Sequence, residues 1–150
     1  MTIVIERIHD LPLASLEALL AESERAGLGL VRRLVDEWVN GTNRFDGRGE
    51  GFFVARADGQ LVGVCGLNVD PYAADQRVGR VRHLYVLARY RRQGIGRRLV
   101  AEVIEAARGG FDILRLRTAN PAAARLYEAL GFCSASAAAE AASHRMMLES

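Results

Sequence analysis

Apolar positions along the chain fall into runs of alternating strand and helix period. Ile3, Val4, Ile5 and Ile8 form a short β-branched run that predicts a first strand, ending at the turn residues Asp10 to Pro12. Leu13, Leu16, Leu19 and Leu20 keep helical spacing as far as Gly27. Leu30, Val31, Leu34, Val35, Trp38 and Val39 keep it again as far as Asn40-Gly41. Trp38 lies on that second stripe and is expected in the core. After a polar, glycine-rich stretch from Thr42 to Glu50, the run Phe52 to Ala55 leads to Asp58-Gly59, a hairpin signal between β-prone segments. Leu61 to Val69 and Val78 to Leu87 supply two more strands, so strands 2, 3 and 4 read as an antiparallel meander.

From Ile95 the period changes. Ile95, Leu99, Val100, Val103, Ile104 and Ala107 trace one face of a helix that stops at Gly109-Gly110, and Phe111, Ile113, Leu114 and Leu116 make a fifth strand. Asn120 is placed to cap a further helix, with Pro121 at its first position and Ala123, Leu126, Tyr127 and Leu130 on its stripe. Phe132-Cys133 and Arg145 to Leu148 read as edge strands on either side of an alanine-rich loop. No linker, repeat or break in composition divides the 150 residues, of which 50% are hydrophobic and 25% charged, so one domain spanning 1–150 is expected. The Ser/Ala stretch from 134 to 143 is too short to alter that. Cys65 and Cys133 sit in apolar stretches without a CxxC and read as reduced core residues of a cytoplasmic protein. His9, His83 and His144 lie far apart, so no metal site is expected, and no apolar run suggests a signal peptide or membrane span.

Charge changes the picture more than composition does. The net charge is only +2, and all 20 basic residues are arginines. Eight of them, at 77, 80, 82, 89, 91, 92, 97 and 98, fall in a stretch free of Asp and Glu, while the rest of the chain carries twelve against eighteen acidic residues. Such segregation points to a site for a strongly anionic ligand. Within it lies Arg91-Arg92-Gln93-Gly94-Ile95-Gly96-Arg97-Arg98, a glycine turn between a strand and a helix. A helix N-terminus offers unpaired N–H groups and a partial positive charge, and glycine lets a phosphate approach them. Arg97 and Arg98 in the first turn oppose the helix dipole by about 0.3–1 kcal/mol each, a cost that a bound polyphosphate reverses. The chain has no lysine, which excludes a P-loop, and Leu99 stands where a dinucleotide fingerprint needs its third glycine.

Arg91-x-x-Gly94-x-Gly96 resembles the Arg/Gln-x-x-Gly-x-Gly/Ala signature of the GNAT superfamily of acyl-CoA-dependent N-acetyltransferases. The resemblance extends to Leu84-Tyr85-Val86 before it and to Asn120-Pro-Ala-Ala-Ala-Arg-Leu-Tyr127-Glu-Ala-Leu-Gly131-Phe132 after it. It implies an α/β (α+β type) fold: a mixed, mostly antiparallel sheet of six to seven strands flanked by about four helices, with strand 4 bulged and splayed from strand 5. Acetyl-CoA is the implied cosubstrate, its pantetheine arm lying in the gap. The implied cofactor-binding set is Leu84, Tyr85, Val86, Arg91, Arg92, Gln93, Gly94, Ile95, Gly96, Arg97 and Asn120, with Arg98 pointing outward. Tyr127 matches the tyrosine that assists the departing thiolate. A tyrosine near pKa 10 facing a thiol near 8.5 is uphill by about 2 kcal/mol for full transfer, so hydrogen bonding of the thiolate is the first expectation. The oxyanion donor implied is a backbone N–H near Val86.

The resemblance leaves the general base open among His83, Glu37, Asp36 and a chain of waters. Arg80 and Arg82 occupy the strand where some relatives carry a basic catalyst, and arginine cannot serve. His83 has an ordinary pKa suited to the task, but strand alternation turns it away from its neighbours, as in a satisfied sheet histidine. Asn43, Arg44, Phe45, Asp46, Glu50, Asp70 and Asp75 are expected to serve acceptor recognition, where their carboxylates suit a cationic amine. The expected function is acetyl transfer to a primary amine of a small molecule or peptide. A non-catalytic acyl-CoA sensor is the alternative, and a nucleic-acid binder using the arginine cluster ranks below it. The latter is disfavoured because Glu102 and Glu105 follow on the same helix and no aromatics interleave. Exposed edge strands near the C-terminus are compatible with a homodimer.

Overall fold

Asp58 and Gly59 both have positive φ, 48° and 87°, the backbone that a two-residue turn needs to match the twist of the strands it joins. Those strands are β2 (Gly51–Ala57) and β3 (Gln60–Val69). The computed structural model describes residues 1–135 and 141–148, and among these a seven-stranded sheet runs β1-β2-β3-β4-β5-β7-β6. The remaining strands are β1 (Ile3–Ile8), β4 (Val78–Val86), β5 (Ile113–Leu116), β6 (Cys133–Ser134) and β7 (His144–Met147). Every pairing is antiparallel except that of β4 with β5. Among the described residues four helices accompany the sheet: α1 (Glu17–Arg25), α2 (Leu30–Asn40), α3 (Ile95–Ala107) and α4 (Pro121–Ala129). None is long and apolar enough to cross a membrane.

Helices cover both faces, as the glycines of β3 reveal. A Cβ on Gly63 would press on Leu99 of α3, whereas one on Gly66 would meet the ring of Phe45. Residues an odd number apart on a strand face opposite ways. Leu99, Val100 and Val103 of α3 are fully buried on the first side. On the second, Trp38 of α2 lies against Phe45 and Phe52 with ring centres 6.2 and 6.0 Å away, in the core as its stripe predicts. Phe45 is also buried, which removes it from the acceptor loop the sequence suggests. Apolar contact with Trp38, Phe52 and the bare Gly66 backbone outweighs its polar sequence context.

Three other expectations change. The first predicted helix opens as a 3₁₀ turn over Leu13–Leu16 before α1 begins. β7 is an inner strand, bonded to β5 along His144–Met147 and to β6 on its other side, so among the described residues the two-residue β6 forms that edge. Cys65 is buried as expected, but Cys133 is exposed, because it lies on that edge. Most of the Ser/Ala stretch read as a loop lies outside the described residues.

β4 and β5 pair only from Val78 to Arg80 against Ile113 to Arg115. A buried carboxylate secures this short seam. Asp70, just past β3, accepts from Arg80 at 3.3 Å and Arg115 at 2.8 Å, and also from the Tyr72 N–H at 2.8 Å. Arg80 and Arg115 face each other in the register, so one Asp bridges three strands. Arg80 is further held by the Ala141 carbonyl and by the Tyr72 ring, 4.8 Å from its guanidinium carbon. Removing a partner from a buried pair costs about 3–5 kcal/mol, since the remaining charge is left uncompensated. Asp70→Ala is therefore expected to lower the denaturant midpoint by a corresponding amount, and an unchanged midpoint would contradict the bridging role.

Candidate active site

Beyond Arg80, β4 has no β5 partner, and the two strands part. The opening is a groove of about 1250 Å³. Its floor is the far half of β4, one wall is the N-terminus of α3, and the other is the segment from Arg117 through α4. Two local features of the sequence build it.

The first is a bulge. Val64 pairs with Tyr85 and Gly66 with Arg82, so His83 and Leu84 together oppose Cys65 alone. His83 takes φ 60°, uncommon for a residue with a side chain. Gly66 permits this, since the Phe45 ring fills the space above it and packs edge-on to His83, ring centres 6.1 Å apart. The extra residue breaks the alternation assumed from sequence, and Arg82, His83, Leu84 and Tyr85 all border the groove. Nor is His83 satisfied: its Nε2 is buried without a hydrogen-bond partner among the described residues. Burial, then the charges of Arg82 and Arg33, push its pKa down to about 3, outweighing a bond to the Leu30 backbone. At neutral pH this imidazole is an uncharged acceptor and no reservoir for a proton.

The second feature is the glycine turn. Gly94 has φ 79° and caps α3, and the first intrahelical bond runs from the Arg98 N–H to the Gly94 carbonyl. The N–H groups of Ile95, Gly96 and Arg97 precede it and have no partner within the helix. A Cβ on Gly96 would meet Leu126 of α4 at 3.3 Å, so glycine keeps the two walls close without filling the space between them. On the opposite wall, Asn120 accepts from the N–H groups of Ala122 and Ala123, capping α4 as predicted. Tyr127 is buried at the groove, 5.6 Å from the Phe132 ring centre, and its hydroxyl has no hydrogen-bond partner among the described residues. Burial, together with the neighbouring Cys65 thiol, raises its pKa well above the ordinary tyrosine value.

Of the residues singled out in the sequence, Leu84, Tyr85, Val86, Arg91, Arg92, Gly94, Ile95, Gly96, Arg97, Asn120 and Tyr127 line this one groove. Gln93 does not, and its side chain turns back to the Arg89 carbonyl. Arg91 contributes less charge than expected, because its Nε donates to Val86 and its head lies 3.8 Å from Glu22. Glu22 went unnoticed in the sequence, where it reads as a surface acid of α1. It accepts from the Tyr85 hydroxyl at 2.5 Å and the Ala88 N–H at 3.0 Å, tying α1 to the end of β4. Burial and this carboxylate push Tyr85 up to about 12.

The arginine cluster divides. Arg77 pairs with Asp112, Arg80 with Asp70, and Arg98 reaches the Ile3 carbonyl, so none of the three serves the groove as a free cation. Arg82, Arg92 and Arg97 do, joined by Arg33 and Arg117 from outside the cluster, and none of these five has an anionic partner among the described residues. A second cavity of about 460 Å³ adjoins the groove, with Tyr72 and Arg82 lining both. Of the acids that line it, Glu50 is engaged, accepting from Asn68 and the N–H groups of Val69 and Gly47; Asp70, buried in its bridge, and Asp75, which caps the Arg77 N–H, lie outside its lining. The expected carboxylate surface for a cationic acceptor is thus reduced to Glu37 and Asp46.

The His83 environment has a pH signature. Between its ordinary pKa of 6.5 and about 3, the unfolded chain binds a proton that the folded chain refuses. The associated stability is in place above 6.5 and drains away as pH falls toward 3. In denaturant titrations over this window His83→Gln should show a shallower decline than wild type, and parallel slopes would refute the assignment.

Comparison with known proteins agrees with this architecture. The chain matches the Acetyltransferase (GNAT) family over residues 13–132. The N-alpha-acetyltransferase RimI of Mycobacterium tuberculosis is 41% identical over 85 residues, covering 52% of this chain and 49% of that protein. The chain therefore spans about half the length of this relative. A crystal structure from Exiguobacterium sp. 255-15 superposes with a TM-score of 0.86 at 31% identity, over 98% of this chain and 94% of that one. The ribosomal-protein-alanine N-acetyltransferase of Brucella melitensis does so at 0.67 with 27% identity, over 89% and 86%. Because the family match runs from the first helical turn to Phe132, and so takes in every element around the groove, the chain belongs to the GNAT family of acetyltransferases.

Proposed function

We propose that this chain, acting as one acetyltransferase domain, transfers the acetyl group of acetyl-CoA to a primary amine of a small molecule or peptide by direct aminolysis of the thioester. One observation carries the proposal: the unpaired side of β4 and the open N-terminus of α3 meet in a single groove. The residues present suit the cosubstrate. Unpaired N–H groups of Ile95, Gly96 and Arg97, with the free guanidinium groups of Arg92 and Arg97, are matched to a pyrophosphate. The β4 backbone at Leu84 to Val86 is matched to the amide-bearing pantetheine arm, which can pair as a strand does. When bound, acetyl-CoA supplies an activated acyl group on a thiol leaving group.

The side chains then divide the work. An amine attacks only as the free base, and burial beside His83 disfavours an ammonium there. His83 Nε2 orients the amine by accepting one of its N–H groups, and the proton passes onward to water because His83 does not retain it. A backbone N–H near Val86 meets the developing oxyanion. Tyr127, held protonated by burial, donates a hydrogen bond to the departing sulfur. The RimI relative is by its name an N-alpha-acetyltransferase, which supports an amine acceptor here.

Calorimetric titration with acetyl-CoA tests the cosubstrate. Saturable binding is expected for wild type and its loss in Gly96→Glu, whose carboxylate would repel and block the pyrophosphate. Binding undiminished in a folded variant would overturn the assignment, and Arg97→Gln gives a milder check. Tyr127→Phe should lower kcat by about a hundredfold while sparing acetyl-CoA affinity. An undiminished kcat would remove the tyrosine from the mechanism.

A further inference from the structure

The acceptor side of the groove carries charge that the mechanism leaves unneutralised. Arg82 emerges from β4 just before the bulge and borders both cavities, and Arg33 reaches the groove from α2. Neither has an anionic partner among the described residues, although both act on the His83 ring. Beside them the buried Nε2 of His83 lacks a partner among the described residues. Glu37, one helical turn beyond Arg33, and Asp46 line the smaller cavity and not the groove. The site nearest the β4 bulge is therefore positive, and the negative groups stand back from it.

We infer that the acceptor is an amine carrying a carboxylate close to its nitrogen, the carboxylate gripped by Arg82 with Arg33 and the nitrogen set against His83 Nε2. The inference rests on the acetyl-transfer reading and adds the class of acceptor to it. A guanidinium offers paired N–H donors in a planar fork that matches both oxygens of a carboxylate, and the bond is stronger for being charged on both sides. With the ring proton on Nδ1, toward the Leu30 backbone, Nε2 is the acceptor, and it is the ring nitrogen left without a partner among the described residues. Nε2 then presents a lone pair, complementary to an amine N–H. An acceptor with this pair of groups neutralises the two arginines and supplies the missing partner of the histidine. A polycationic acceptor does neither, and meets two like charges at the point of reaction.

The test compares paired acceptors by thiol release. Free L-amino acids are set against their amides, and dipeptide amides beginning with Asp against those beginning with Asn. The first comparison reads an α-carboxylate and the second a side-chain one, with 1,4-diaminobutane as the cationic control. Wild type should favour the charged member of at least one pair by about tenfold or more in kcat/KM. In Arg82→Gln and Arg33→Gln that ratio should fall toward one, through KM more than kcat. Equal rates within both pairs, preference for the diamine, or a ratio that survives Arg82→Gln would overturn the inference.

A binding measurement decides the matter without turnover. Titration of the CoA-loaded protein with an acid and its amide should give saturable binding of the acid alone, lost in Arg82→Gln; equal binding, or binding of neither, overturns it. Failure of acetyl-CoA itself to bind would instead strike the acetyl-transfer reading. The same titration on the CoA-free protein then still reports whether Arg82 holds a carboxylate: binding of the acid upholds the grip, and none removes it.

Discussion

A single buried carboxylate sets where the sheet is closed and where it opens. Asp70 is inaccessible to solvent and lies between two arginines that face each other across the parallel seam. Parallel pairing over three residues is a weak join by itself. The ion pairs reinforce it from the end of β3, and they do so at one end only. Past Arg80 no comparable bridge among the described residues holds β4 to β5, and the strands part. The groove is thus the unpinned continuation of a seam whose other end is secured.

The bulge in β4 is governed from the opposite face. Phe45 lies on the bare backbone of Gly66 and against the His83 ring, so packing among aromatic residues underlies the placement of a polar group in the groove. Glu22 acts similarly farther along, fixing Tyr85 and the chain at Ala88 before the glycine turn. Core and site share residues here: the same contacts that bury apolar surface determine which side chains of β4 face the opening.

Much of this was legible in the sequence because it rests on local rules. The Asp58-Gly59 turn, the Asn120 cap and the glycine turn before α3 each need particular residues at fixed spacing, and each is found where the spacing puts it. Their order and the two motifs around them also sufficed for the family. What escaped detection depends on partners distant along the chain. In sequence Asp70 reads as an available surface acid, whereas Arg80 and Arg115 close on it, and Phe45 reads as a loop residue, whereas it packs on Gly66. Strand alternation misdirected His83 because a one-residue bulge leaves no mark in the periodicity of a short run. Arg33 and Arg117 escaped because the sequence grouped arginines by proximity along the chain, whereas the groove collects them across elements.

The three-residue seam also has a mechanical meaning. β5, β7 and β6, with α4 attached through the His144–Glu128 contact, form one leaf, and β1 to β4 with α3 form the other. The leaves are joined at one end like the arms of tweezers, with Tyr127 on one arm and the α3 amides on the other. A small rotation at the join is magnified along the arms, so the distance between these two groups is more sensitive to tilt than the paired residues are. Leu126 against Gly96 is the stop that limits how far the arms approach, and a glycine chosen for its bareness thereby sets the minimum width of the opening.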